Sequence, residues 1–192
     1  MKLDEIPAMK ERVINAAVEE FGKSGLRFTM DDVAKNLGIS KKTLYKIYDS
    51  KEEMLLDVAD YSFADIKKSE REIVDDENLD TLTKIRRIMI VLPERYQNRG
   101  LSKLYTLKDK YPSIYRRVTM YLSTDWDATI RLLEQGIEEG VIRPVSIPVL
   151  RAMVESTFKD FVSDSVLVEN GISYEDALDE MIEIVINGIK AN

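Results

Sequence analysis

Apolar positions recur along most of this chain at the three-to-four spacing of an α-helix. The interruptions fall at glycine, proline and clusters of capping residues. Met9, Val13, Ala17 and Phe21 stand four apart and mark a first helix that Gly25 ends. Pro7 suits its start, and Met1 to Ile6 reads as a frayed tail. Met30, Val33, Ala34 and Leu37 give a short second helix, opened by Thr29 with Asp32 three residues on. Gly38 can take a positive φ, which suits a helix end and a sharp turn. Ser40 caps another short helix with Leu44 and Ile47 inward, and Ser50 with Glu53 forms a capping box for the next. That next helix is predicted to run to about Glu70, so a single rigid element joins the N-terminal part to the rest.

The acidic segment Ile73 to Asp80 reads as a surface connection. Leu82, Ile85, Met89, Leu92 and Tyr96 predict one amphipathic helix, with Arg86, Arg87 and Arg95 pointing elsewhere. After Gly100, residues Leu101, Leu104, Tyr105 and Leu107 suggest a short helix that stops before Pro112. A long helix is predicted from about Pro112 to Glu139, with Ile114, Val118, Tyr121 or Leu122, Ile130, Leu133 and Ile137 inward. Gly140 stops it, and Pro144 and Pro148 hold a loop. Val149, Met153, Val154, Thr157, Phe158, Phe161 and Val162 mark a helix to about Val168. Beyond Gly171, Ser173 caps a last helix carrying Leu178, Ile182, Val185, Ile186 and Ile189. The expected fold is all-α with about nine helices. The apolar bands of the last two are broad for helices at a chain end, which predicts a partner surface.

Composition narrows the function by exclusion. The 192 residues contain no histidine and no cysteine, so the commonest general base, transition-metal ligand and thiolate nucleophile are all missing. Asp75, Asp76 and Glu77 adjoin one another, but in a polar connection where a solvated loop is the better reading than a catalytic pair. An enzyme is therefore not expected, nor a metal site or cofactor. No apolar run approaches the ~20 residues of a membrane span, so no membrane partner is expected and the chain is placed in the cytoplasm.

The net charge of −7 is unevenly divided. Residues 1–51 hold ten Lys or Arg against eight Asp or Glu, a net +2, and residues 52–192 hold eighteen against twenty-seven, a net −9. Within the first part, Val33 to Tyr48 has no acid and four lysines, Lys35, Lys41, Lys42 and Lys46. This acid-free window spans two capped helices and a glycine turn, the pattern of a helix-turn-helix. A solvated lysine-rich face would explain the charge alone; the caps, the turn and the window together favour DNA. Lys41 and Thr43, with the caps Thr29 and Ser40, are expected to meet the phosphate backbone. Lys42, Tyr45 and Lys46 would approach base edges, while Tyr48 and Lys51 would hold flanking phosphates. Lys10 has a weaker claim on the backbone.

The run from Val13 to Val58 resembles the N-terminal domain of the tetracycline-repressor (TetR) family of transcriptional regulators. The resemblance lies in AAVEEFGKSG, in TMDDVA, in LGIS, in TLY and in SKEEM. It implies an all-helical homodimer with a DNA-binding domain over 1–51 and an effector-binding and dimerisation domain over 52–192. It also implies that the last two helices form a four-helix bundle with their copies, and that a near-palindromic operator is read. Lys42 and Ile47 depart from the family, where a small residue and an aromatic are common.

A mostly apolar small-molecule effector would sit among the middle helices. Met89, Tyr96, Tyr121, Trp126 and Phe158 are candidate walls, although such a stripe at helical spacing is usually core. Ser123, Thr124, Asp125 and Asp127 interrupt the stripe of the long helix, so Asp125 is a candidate for a cationic or hydroxylated group, with pairing to Arg86 or solvent exposure as the alternatives. The expected function is a ligand-responsive repressor released from DNA by its effector. A helical adaptor that binds only protein is the alternative.

Overall fold

A computed structural model describes residues 6–191. The tail expected over Met1 to Ile6 lies outside them except for Ile6, which opens α1 (Ile6–Ser24). The chain is all-α: among the described residues the sole β feature is one bridge, Ile142 to Lys190.

After α1 come a 3₁₀ turn (Gly25–Arg27), α2 (Met30–Leu37), α3 (Lys41–Leu44) and α4 (Lys51–Asp75). The expected caps are present. The Thr29 hydroxyl accepts the Asp32 N–H at 3.3 Å, and the Asp32 carboxylate accepts the Thr29 N–H at 2.8 Å, closing a capping box. Gly38 sits at φ +66 and ends α2 in the left-handed region. Ser40 and Ser50 accept the Thr43 and Glu53 N–H groups, each at 3.1 Å. The Glu53 carboxylate, however, accepts from Asp49 N–H rather than from Ser50, so the box at α4 is shifted by one residue.

The stripe Val13, Ala17 and Phe21 packs with Val33, Ala34, Leu44 and Met54 into the core of the head. That core does not close on itself, because Leu107 and Ile114 of the body belong to the same cluster. α4 spans 25 residues, about 37 Å at roughly 1.5 Å per residue. It continues past the expected end at Glu70, and its second half becomes a wall of the body.

The body departs from expectation in three places. The helix expected through Tyr96 ends at Met89 (α5, Thr81–Met89). Pro93 disfavours helical backbone at Leu92, and the chain crosses to a 3₁₀ turn at Glu94–Tyr96. The helix expected over Pro112 to Glu139 is two, α7 (Pro112–Leu122) and α8 (Asp127–Glu138). Between them Ser123 and Thr124 hydroxyls bond back to Thr119 and Tyr121 carbonyls, and Asp125 takes φ +58. The helix expected to reach Val168 stops at Ser163 (α9, Ile147–Ser163) and is followed by a single turn, α10 (Val166–Glu169). A 3₁₀ stretch (Leu101–Thr106), α6 (Leu107–Lys110) and α11 (Tyr174–Ile189) complete the chain.

α5 crosses α8 where Gly136 admits it: a Cβ there would stand 3.0 Å from Ile85 and 3.3 Å from Ile142. Ile85, Leu133, Ile142, Val154 and Ile182 fill this second core. On the outer side of α9 and α11, Val149, Met153 and Ile184 are 57%, 62% and 68% exposed.

Gly38 tests the turn without disturbing packing, because nothing lies within 4 Å of where its Cβ would be. Gly38→Ala is expected to cost about 1–2 kcal/mol through backbone strain alone, read by urea unfolding of the full chain.

Candidate nucleic-acid face and effector cavity

α3 is one α-helical turn, prolonged by turn hydrogen bonds from Lys46, Ile47 and Tyr48 N–H groups to Thr43 and Leu44 carbonyls. Leu44 is fully buried beneath it. The residues pointing away from that anchor are Lys41, Lys42, Tyr45 and Lys46, all exposed. Ser40 is exposed as well, and its hydroxyl stands 2.8 Å from that of Thr43. The Ser40 and Thr29 hydroxyls are occupied in capping and that of Thr43 bonds to Ser40, so all three shape the turn whatever else they touch. Lys41 lies 3.2 Å from Asp31 on α2. Both partners are about half exposed, a weak pairing that an incoming phosphate can replace.

Two expected phosphate contacts are corrected. Tyr48 is 1% exposed, and its hydroxyl donates to Asp57 at 3.0 Å. Burial first, and the Asp57 carboxylate second, raise its pKa. It is a core residue that the amphipathic pattern of the short helix assigned to the surface. Lys51 is also committed inward. Its ammonium donates to the Leu26 carbonyl at 2.8 Å and to the Phe28 carbonyl, and stands 3.9 Å from the centre of the Phe28 ring. Burial, with Lys110 nearby, pushes its pKa down to about 8, with Asp32 acting the other way. Lys10 likewise turns inward, 2.7 Å from Asp57. These three side chains tie α1, α4 and the Leu26–Phe28 segment together.

The second site is a cavity of about 270 Å³ between head and body. All six candidate effector residues, Met89, Tyr96, Tyr121, Asp125, Trp126 and Phe158, line it. The sequence spacing had given no reason to prefer this over six separate places in a core. Trp126 and Phe158 rings meet at 6.4 Å, and Tyr121 stacks on Phe63 at 4.1 Å. Asp125 does not pair with Arg86, whose partner is Glu183. It stands instead 3.5 Å from Lys67 on α4. The Tyr96 hydroxyl is buried without a hydrogen-bond partner among the described residues.

The cavity also has walls that the sequence reading missed. Ala17, Val18 and Phe21 of α1 contribute from the head, and Phe63, Ile66, Lys67 and Glu70 from α4. The latter four follow at spacing three, one and three, so they share one face of α4. That was a legible signal, hidden because the segment read as a connector. Beside the cavity, Arg95 bridges the two parts of the molecule. Its guanidinium donates to Asn15 on α1 at 3.1 Å and pairs with Asp65 on α4 at 3.1 Å.

Residues 13–58 match the family described as bacterial regulatory proteins, tetR family. Over 96% of its length the chain is 24% identical to an uncharacterized HTH-type transcriptional regulator, YvaF, of Bacillus subtilis, covering 97% of that protein. In fold it resembles a TetR-family transcriptional regulator from Cytophaga hutchinsonii, with a TM-score of 0.69 at 16% identity and full coverage of both chains. It is similarly close to the regulator FadR of Bacillus subtilis, solved in complex with stearoyl-CoA, with a TM-score of 0.64 at 19% identity over 93% of this chain and 98% of that one. The helix-turn-helix and the body behind it define a DNA-binding transcriptional regulator. The likeness to the TetR family is carried by residues 13–58 in sequence and by the whole chain in fold.

Lys51 is the test of the corrected assignment. Lys51→Met leaves two backbone carbonyls without their donor and is expected to destabilise the head by about 1–3 kcal/mol, seen as a lowered Tm in thermal unfolding followed by circular dichroism.

Proposed function

We propose that this chain is a ligand-responsive repressor that binds a near-palindromic operator as a homodimer and releases it when an elongated, mostly apolar effector fills the cavity. The observation that carries this reading is the shared wall: side chains of α1 in the head and of α4, α5, α7 and α9 in the body line the same space. An occupant therefore touches the DNA-binding head directly. It also touches Tyr96, next in the chain to Arg95, whose guanidinium holds α1 to α4. A ligand that binds one placement of the head better than another shifts the population toward it.

On the DNA side, Lys41, Lys42, Tyr45 and Lys46 supply the contact surface, with Thr43, Thr29 and Ser40 shaping it. A head of net +2 makes few phosphate contacts, so two heads are needed for useful affinity. The second copy is accommodated by the outer faces of α9 and α11. Val149 and Met153 form an apolar surface on α9 beside the small residues Ala152 and Ser156, and Ile184 is exposed on α11. Close helix packing of that kind builds a two-fold bundle. Domains over 1–51 and 52–192 suit this division of labour. FadR, seen with stearoyl-CoA, is an example of this fold holding a long apolar chain.

Gel shift against fragments flanking its own coding region tests the DNA reading, with no retardation by any fragment favouring a protein-binding adaptor. Lys46→Ala is expected to weaken binding, and Lys41→Ala to lower the slope of log affinity against log salt by about 1 per site. Unchanged affinity in the triple Lys41→Ala, Lys42→Ala, Lys46→Ala chain would contradict it. For the dimer, Met153→Glu is expected to halve the mass seen by sedimentation and to abolish operator binding at the same concentration, with the Tm of the monomer retained.

A further inference from the structure

The cavity is charged at one end only, and the charges there do not balance. The lining residues that carry charge at neutral pH are Lys67, Glu70 and Asp125. Lys67 is already committed: its ammonium lies 2.7 and 2.9 Å from the two oxygens of Glu70. It also donates to the Asp125 carbonyl at 2.8 Å and stands 3.5 Å from the Asp125 carboxylate. Lys67 and Glu70 side chains are only 12% and 14% exposed, while Asp125 is 57% exposed. Within the lining, two carboxylates thus share one ammonium in a half-dry setting, and the exposed Arg71 acts on Glu70 from outside it. Burial raises the Glu70 pKa despite Lys67, which marks its carboxylate as under-compensated where it stands.

Aromatic faces stand at the same end. The stacked Phe63 and Tyr121 and the tilted Trp126 and Phe158 all line the cavity. Lys67 lies 5.3 Å from the Phe63 ring and Arg151 5.7 Å from the Trp126 ring, so two of these rings already receive a cation. Leu55 of α4, which packs with Ala17, Phe21 and Leu26, lies about 18 Å before Lys67 at roughly 1.5 Å per residue, so the lining near α1 is apolar and set apart from the charges. A ligand carboxylate entering the charged end would have to break the Lys67–Glu70 pair and leave a buried carboxylate uncompensated. A ligand ammonium would complete the set of charges and lie among aromatic rings.

Resting on the effector-site reading above, we infer that the effector is a lipophilic amine, its cation held between Glu70 and Asp125 and its apolar stem directed at α1. Hydrophobic carboxylates are disfavoured by the same groups.

The test uses three probes with one chain and different heads: decylamine, decanol and decanoate. Trp126 is the sole tryptophan of the chain and lines the cavity, so its emission reports occupancy. Decylamine is expected to shift Trp126 emission and to bind the full chain about tenfold or more tighter than decanoate, a difference of about 1.4 kcal/mol or more. Asp125→Asn, at an exposed position that leaves the fold intact, should weaken decylamine several-fold and leave decanol unchanged. Glu70→Gln combined with it should erase the preference for the amine, in protein whose melting is checked in parallel. Decanoate binding as tightly as decylamine, or the double variant binding the amine unchanged, overturns the inference while leaving the cavity as an effector site. Silence with all three probes overturns both.

Discussion

The Lys51–Asp75 helix is buried at its start against one set of partners and further along against another. Met54 and Leu55 are sealed into the head with Leu44 and Phe28, while Phe63 and Ile66 face the body's cavity. Burial of apolar area stabilises by about 25 cal/mol per Å², and here that stabilisation is shared between two functions. The head cannot shift on α4 without disturbing the rim of the cavity, nor the cavity expand without pressing on α1. Leu107 and Ile114, body residues packed into the head's own core, reinforce this union.

Much of the head could be read from sequence because its signals are local. Thr29 with Asp32, Gly38 and Ser40 announce their roles within a few residues of themselves, and the structure places each cap and turn accordingly. Tyr48 and Lys51 were misread for the complementary reason. Their inward partners, Asp57 and the Leu26 and Phe28 carbonyls, are remote in the chain or belong to another element. A short helix has too few positions for its buried face to be deduced from spacing. The body was harder. Pro93 ends α5 early, and the Ser123–Asp125 break divides one expected helix in two. The residues that make that break had been noticed as an interruption in the apolar stripe; its meaning, a helix end that delivers Asp125 and Trp126 to the cavity, needed the partner helix α4 to be in place.

The division of charge has a physical use beyond DNA affinity. A body of net −9 is repelled by the duplex, so the exposed lysines of α3 are the part of the molecule with reason to approach it. Lys10 and Lys51 add to the formal charge of the head but are tied to Asp57 and to backbone carbonyls. The charge available to phosphate is therefore more concentrated on α3 than the sum over residues 1–51 suggests.

In the mechanism proposed above, a shared wall also sets the scale of regulation. Weakening operator binding about a hundredfold requires about 2.7 kcal/mol of difference between the ligand's affinity for the released and DNA-bound placements of the head. At about 25 cal/mol per Å², this corresponds to roughly 110 Å² of apolar contact made in one placement and lost in the other. Ala17, Val18 and Phe21 are nearly buried, so contact on that scale has to be shared between α1 and the cavity walls on α4 and α7. No long chain of intermediates is then required, because the element that must move is itself part of the binding site. Arg95, which holds Asn15 and Asp65 together, would oppose that movement. In the proposed mechanism the balance between that clasp and the ligand's contact with α1 sets the direction in which the head is driven.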